Sequence, residues 1–285
     1  MSIRNILLAT DFSRCSEVAL QFAVFVAERY KAKLLMVHVI SESVYKDVPP
    51  EILDEAKIRI RADAQAKLQW SRQLVKELPV EVLLEEGPVA DTVLALSESR
   101  AIDLLVVGTR GHRRIERLLL GSVAEKLSRQ ARCPVFVVPE SAFSYGSEIS
   151  LNTILCPTNF SDRSKAALKH GWEMAKMFSG RMLLLHVVEG STPSRADRIQ
   201  QRMVTEQRLS RLSSLVSNGA ASPEIELTVE FGSIAQSIAR VAAERGASLV
   251  VLSIERNKPV VAHLPPTITY SVAQQVSCPI LTIAS

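Results

Sequence analysis

The residues best suited to chemistry lie between Gly108 and Ser122, in the run Gly-Thr-Arg-Gly-His-Arg-Arg-Ile-Glu-Arg-Leu-Leu-Leu-Gly-Ser. Gly108, Gly111 and Gly121 free backbone for close approach, and Ser122, with Glu125 three residues on, predicts a helix entry closed by a capping box. Backbone N–H groups at such an entry form a cradle for an anion such as phosphate. Arg110, Arg113, Arg114 and Arg117 add positive charge, and arginine can fork two hydrogen bonds onto phosphate oxygens. The glycine–lysine–hydroxyl ending of a P-loop is missing, as is the dinucleotide fingerprint of three closely spaced glycines. Any tight strand-to-helix turn can also require glycine, so this stretch alone leaves packing and anion binding both open.

The elements that must position this loop follow from hydropathy. Residues 103–107, Asp-Leu-Leu-Val-Val, are short, branched and bounded by glycine, which predicts a buried parallel strand ending where the loop begins. Further strands are expected over 3–9, 34–40, 80–85 and 135–138. Between them run a helix with Cys15, Val18, Phe22, Phe25 and Val26 on its apolar face, a long helix opened by Pro49 and Pro50, and a helix over 89–100. In the long helix Ile52, Ala56, Ile60, Ala64 and Leu68 recur every fourth residue and predict its packed face, with Lys57, Arg59, Arg61 and Asp63 solvated. Strictly alternating strands and helices make a parallel sheet covered on both faces.

The pattern is then written again. Residues 153–161 restate 5–13 and Leu183–Val187 restates Leu35–Val39 at an offset of 148, while Gly232 pairs with Gly87 and Cys278-Pro279 with Cys133-Pro134 at an offset of 145. Two α/β domains are therefore expected, at 1–140 and 151–285, joined by a polar connector. In open parallel sheets ligands bind beyond the carboxyl ends of the strands where strand order reverses. With order 3-2-1-4-5, that crevice brings Thr10 and Asp11 opposite the glycine loop. Asp11 has two readings, a carboxylate for ribose or base and a simple cap of the first helix.

Composition narrows the class. The 285 residues are 47% hydrophobic and 22% charged, with a net charge of +4, an ordinary globular balance. No nucleic-acid recognition motif is present and no apolar run is long enough for a membrane helix, so partners of neither kind, and a cytoplasmic location, are expected. Cys15, Cys133, Cys156 and Cys278 form no metal-ligand spacing and are expected as packed, reduced thiols. His38 and His186 stand at equivalent strand ends without a paired acid or nucleophile, and are expected as packed, hydrogen-bonded residues.

The chain resembles a tandem universal stress protein. The resemblance rests on Gly108-x-x-Gly111, nine residues, Gly121-Ser122, on residues 9–13 (Ala-Thr-Asp-Phe-Ser), and on Val37-His38-Val39, and it spans nearly the whole sequence. It implies two Rossmann-like five-stranded domains and ATP binding by the domain with the motif, the nucleotide arriving with Mg²⁺ or Mn²⁺. On that resemblance Ala9, Thr10 and Asp11 meet the adenosine end and the Val39 backbone lines the adenine pocket. Gly108, Thr109, Arg110, Gly111, Gly121, Ser122 and Val123 hold ribose and phosphates. The second half departs from the motif: Asn159 replaces Asp11, Ser253 replaces Gly108, Arg256 replaces Gly111 and Pro266 replaces Gly121, although Thr267 keeps the hydroxyl of Ser122. One ATP site per chain is expected, in the first domain, with the second domain serving as a built-in partner. The resemblance further implies a nucleotide-dependent regulator in stress response, a homodimer and a regulatory protein partner. A slow ATPase or phosphotransferase, or a nucleotide-independent scaffold, are the alternatives; no base or pair of metal-binding carboxylates argues for an enzyme.

Overall fold

A computed structural model describes residues 2–75, 78–109, 120–143, 148–189, 195–216, 222–256 and 268–284. The chain divides into two compact units, Ser2–Glu140 and Ser141–Ser285. In the first, β1 (Asn5–Ala9), α1 (Arg14–Tyr30), β2 (Lys33–Ile40), α2 (Leu53–Gln73), β3 (Val80–Glu86), α3 (Val89–Ser99), β4 (Leu104–Gly108), α4 (Ser122–Gln130) and β5 (Val135–Val138) follow one another. The strands lie in the order β3-β2-β1-β4-β5 and pair in parallel throughout, as the alternation predicts. Burial explains the order. Every residue of β4 and β5 is buried, whereas edge strand β3 is only half-buried along most of its length. Phe22 of α1 is wholly enclosed and meets Phe136 of β5 edge-on, ring centroids 4.8 Å apart, which locks the helix to the sheet. Phe25 on the same helix is only half-buried.

The second unit repeats this as β6 (Thr153–Pro157), α5 (Asp162–Met177), β7 (Arg181–Val188), α6 (Arg195–Val216), β8 (Ile225–Phe231), α7 (Ile234–Glu244), β9 (Leu249–Ile254), α8 (Ile268–Ala273) and β10 (Ile280–Ala284). Its order is β8-β7-β6-β9-β10. Register repeats as well: Ile6 pairs with Leu104 in the first unit, and their counterparts Ile154 and Leu249 pair in the second. Unusual backbone recurs at matching places, with φ of 63° at both Phe12 and Phe160, and 53° and 54° at Lys31 and Ser179. At Gly87 and Gly232 φ is 135° and 127°, a conformation that only glycine adopts without strain, so both copies require it before their third helix.

The long helix corrects one expectation. Ala64, Leu68 and Ser71 are its buried residues, Ala56 and Ile60 are half-buried, and Ile52 is 51% exposed. Its outward face also carries Ile58, Trp70 and Leu74, so that face is not simply a solvated charged one.

Candidate functional site

The first wall of the crevice is the corner between β1 and α1. After Ala9, the Thr10 N–H donates to the Val37 carbonyl at 2.9 Å, which holds the corner onto β2. Thr10 Oγ1 accepts from the Phe12 N–H at 3.1 Å and donates to Ser16 Oγ at 3.2 Å. Asp11 Oδ1 accepts from the Ser13 N–H at 3.1 Å, and Ser13 in turn caps α1 by accepting from the Ser16 N–H. His38 Nδ1 lies 2.8 Å from the Thr10 carbonyl; a carbonyl only accepts, so this nitrogen carries the hydrogen. The His38 ring packs on Phe12 with centroids 4.5 Å apart. His38 is thus a packed, hydrogen-bonded residue that fixes the corner, as its apolar strand suggests.

The second wall rises from β4, which pairs directly with β1. Gly108 ends the strand, and its missing side chain has a packing reason. A Cβ there would lie 2.9 Å from Cys15 Sγ and 3.1 Å from the Cys15 backbone, so β4 meets the first turn of α1 without a gap. Thr109 is buried; its N–H donates to the Val138 carbonyl at 3.0 Å and its hydroxyl lies 3.4 Å from Cys15 Sγ. Arg110 and Gly111, with His112, Arg113, Arg114 and Arg117, lie outside the described residues. The chain returns at Gly121, whose N–H donates to the Thr109 carbonyl at 2.6 Å, so the two feet of the loop are bound to each other.

The capping of α4 differs from expectation. Gly121, with extended backbone, is the N-cap; Ser122 is the first helical residue, and the N-cap itself makes no side-chain hydrogen bond to the helix. A glycine in that position has nothing with which to accept from the first-turn N–H groups. Those donors near Ser122 and Val123 lack a cap from the helix's own N-cap side chain, an arrangement that suits an incoming anion. Ser122 is exposed and Val123 half-buried, so this turn is open to solvent. Val39 lies near the carboxyl end of β2 beside Glu85 of β3, with its side chain buried.

The second unit rebuilds the first wall almost atom for atom. Thr158 Oγ1 accepts from the Phe160 N–H at 3.0 Å, Asn159 Oδ1 from the Ser161 N–H at 3.1 Å, and His186 Nδ1 reaches the Thr158 carbonyl at 2.7 Å. An amide therefore makes the turn as well as a carboxylate does. Its other wall is different. Arg163, at the position of Cys15, pairs with Glu255 at 3.3 Å, and Arg256 donates to the Ala284 carbonyl at 3.2 Å while its Nε is buried without a partner among the described residues. A guanidinium is folded onto the end of β10 where the first unit has Gly111 in sequence. Pro266 and Thr267 lie outside the described residues.

Elsewhere, a groove of about 890 Å³ lies at the opposite, amino ends of β1, β2 and β3, lined by Asn5, Lys33, Arg72 and Arg100 among others. None of the predicted site residues lines it. Among the described residues no cluster of histidine, cysteine and carboxylate side chains suits a metal ion, and no helix is long and apolar enough to cross a membrane. Cys15, Cys156 and Cys278 are buried free thiols, and Cys133 is half-buried and free. Burial pushes the Cys133 thiol up to about 11 and Cys278 to about 12, which keeps both in the unreactive protonated form at neutral pH.

Comparison with known proteins decides what this twofold architecture is. The model of the universal stress protein family matches residues 2–139 and again residues 151–284. The chain belongs to the universal stress protein family. It is a tandem member, since each domain carries a full match. The universal stress protein MJ0531 of Methanocaldococcus jannaschii is 31% identical over 141 residues, 47% of this chain and 81% of that protein. The universal stress protein YxiE of Bacillus subtilis is 30% identical over 144 residues, 47% of this chain and 97% of its own length. Each thus corresponds to one domain. A universal stress protein from Archaeoglobus fulgidus matches in structure with a TM-score of 0.71 at 18% identity, covering 98% of this chain and 96% of that one, which shows a shared fold.

Proposed function

We propose that the first domain binds ATP at the carboxyl ends of β1 and β4, and that occupancy of this single site sets the state in which the protein acts as a stress-response regulator in the cytoplasm. The observation that carries the reading is the start of α4. Gly121 offers no capping side chain, and its own N–H is bonded to Thr109, so the loop returns beside β4 with the helix entry open. Phosphate oxygens would replace the missing cap, accepting from N–H groups at Ser122 and Val123 with Arg110 and Gly111 along the loop. Thr10 and Asp11 would meet ribose and base, next to the Ala9 and Val39 backbone. Because Asn159 makes the same turn in the second domain, the negative charge of Asp11 is more than the turn requires, and hydrogen bonding to a ribose is a use for it. Mg²⁺ or Mn²⁺ would enter with the triphosphate and neutralise its charge. For regulation, ATP must bind two conformations or assemblies unequally, so that a regulatory protein partner reads the shift.

The test is calorimetric titration of the intact chain with ATP, alongside Gly121→Pro. Gly121 has φ of −70°, which proline adopts, so the variant introduces no strain in φ while losing the N–H that holds Thr109. A stoichiometry near one that vanishes in the variant is the expected result. A stoichiometry of two, or unchanged binding by Gly121→Pro, overturns the one-site reading.

A further inference from the structure

The groove at the amino ends of β1, β2 and β3 lies on the other side of the sheet's edge from the crevice, and three pieces of chain build it. Gln69, Arg72 and Gln73 stand three and four positions apart at the end of α2, which puts them together on one side of that helix. Asn5 and Lys33 are register partners at the starts of β1 and β2, so they stand side by side. Arg100, just past the end of α3, reaches Glu81 near the start of β3 at 3.1 Å.

The second domain carries three of these charges at matching places and uses them on one another. Arg181, at the position of Lys33, donates to Thr153 Oγ1 at 3.2 Å and to the Arg245 carbonyl at 3.3 Å. Glu226, at the position of Glu81, accepts from Arg245 at 2.6 Å and lies 3.5 Å from the Arg181 guanidinium, so one carboxylate serves two arginines. In the first domain Glu81 serves Arg100 alone. Lys33 and Arg72 are exposed and have no carboxylate partner among the described residues. The Arg–Glu pair recurs in both domains and belongs to the fold, whereas these two free cations belong to the first domain only. The carboxyl ends of α2 and α3 each bring about half a negative charge to this side, which offsets only part of the surplus.

We propose that this groove is a second ligand site of the first domain and takes a sugar phosphate. Lys33 and Arg72 hold the phosphate, with arginine forking two hydrogen bonds onto its oxygens. The amides of Gln69 and Gln73 both donate and accept, as sugar hydroxyls require, and Asn5 keeps its oxygen as an acceptor because its Nδ2 donates to the Ala101 carbonyl at 3.3 Å. Leu78 and Pro79 offer apolar surface to the C–H faces of the sugar. The volume of about 890 Å³ is more than bare phosphate fills and suits a small organic ligand.

The test is calorimetric titration of the full chain with glucose 6-phosphate, glucose and inorganic phosphate. Glucose 6-phosphate should bind with a dissociation constant of about 1 mM or tighter, and each fragment at least tenfold more weakly. Arg72→Gln and Lys33→Gln, both on exposed side chains and checked by circular dichroism, should each weaken it about tenfold. The double variant Asn5→Thr with Lys33→Arg rebuilds the arrangement of the second domain. It should also weaken binding about tenfold although the charge is unchanged, because Glu81 then ties up both guanidiniums. Gly121→Pro, at the opposite ends of the strands, should leave binding as it is, so this result stands or falls apart from the ATP site. Failure of glucose 6-phosphate to bind, equal binding of inorganic phosphate, or full affinity in the double variant would each overturn the proposal. So would binding that Gly121→Pro abolishes and Arg72→Gln spares, which would place the ligand in the crevice.

Discussion

The two domains share one wall of the crevice and differ in the other, and this separates architecture from function. Thr10, Phe12, Ser13, Ser16 and His38 have counterparts in Thr158, Phe160, Ser161, Ser164 and His186 with matching bonds, including 2.8 and 2.7 Å from histidine to carbonyl. A group kept in both domains serves the corner that both must fold. What differs lies where a ligand would sit: the Asp11 charge, the glycine ends of the loop, and the helix entry at Gly121, against Asn159, Ser253, Arg256 and Pro266.

The comparison breaks most readily at Gly121. Proline there imports the residue of the second domain and removes the N–H that ties the loop's return to the Thr109 carbonyl, and ATP affinity should fall by roughly 100-fold as the helix entry loses its place beside β4. Gly108→Ser imports the second domain's Ser253. Its Cβ would press on Cys15, so the first domain should lose about 1–3 kcal/mol in denaturant unfolding, while Ser253→Gly, its reciprocal, should change stability by much less. Asp11→Asn sharpens the contrast: the turn survives, as Asn159 shows, so the melting temperature should hold while ATP affinity drops about tenfold. Smallest and most even are the caps. Ser13→Ala and Ser161→Ala should each cost about 1 kcal/mol in their own domain, measured by urea unfolding, with ATP affinity unchanged.

Much of the fold was legible because it rests on simple signals. The runs at β1, β2, β4 and β5 are apolar enough that only buried strands accommodate them, and the repeat fixed the second sheet from the first. The crevice was legible from topology, since parallel strands must put their carboxyl ends on one side. Other features depend on contacts that sequence does not display. Gly108 is required by Cys15, which lies 93 positions earlier and becomes a neighbour only when β4 meets α1. At α4, serine outranks glycine as a cap, so propensity favoured Ser122, whereas the bond from Gly121 to Thr109 moves the helix start by one residue. In α2 two ladders of four-residue spacing coexist, one through Ala64 and Leu68 and one through Ile58 and Trp70. The four-residue count picked the first as the packed face, which Ala64 and Leu68 are, and passed over the second, whose members stand among charged residues.

The repeat offset falls from 148 to 145 between β7 and β8, which are neighbours at the outer side of their sheet, as β2 and β3 are in the first domain. Strand β2 and helix α2 are joined by residues 41–52 in the first domain. Both sheets keep their register despite this change in length. That connection is therefore a natural insertion point: a fluorescent or affinity tag placed there would report on the chain without shifting either wall of the crevice.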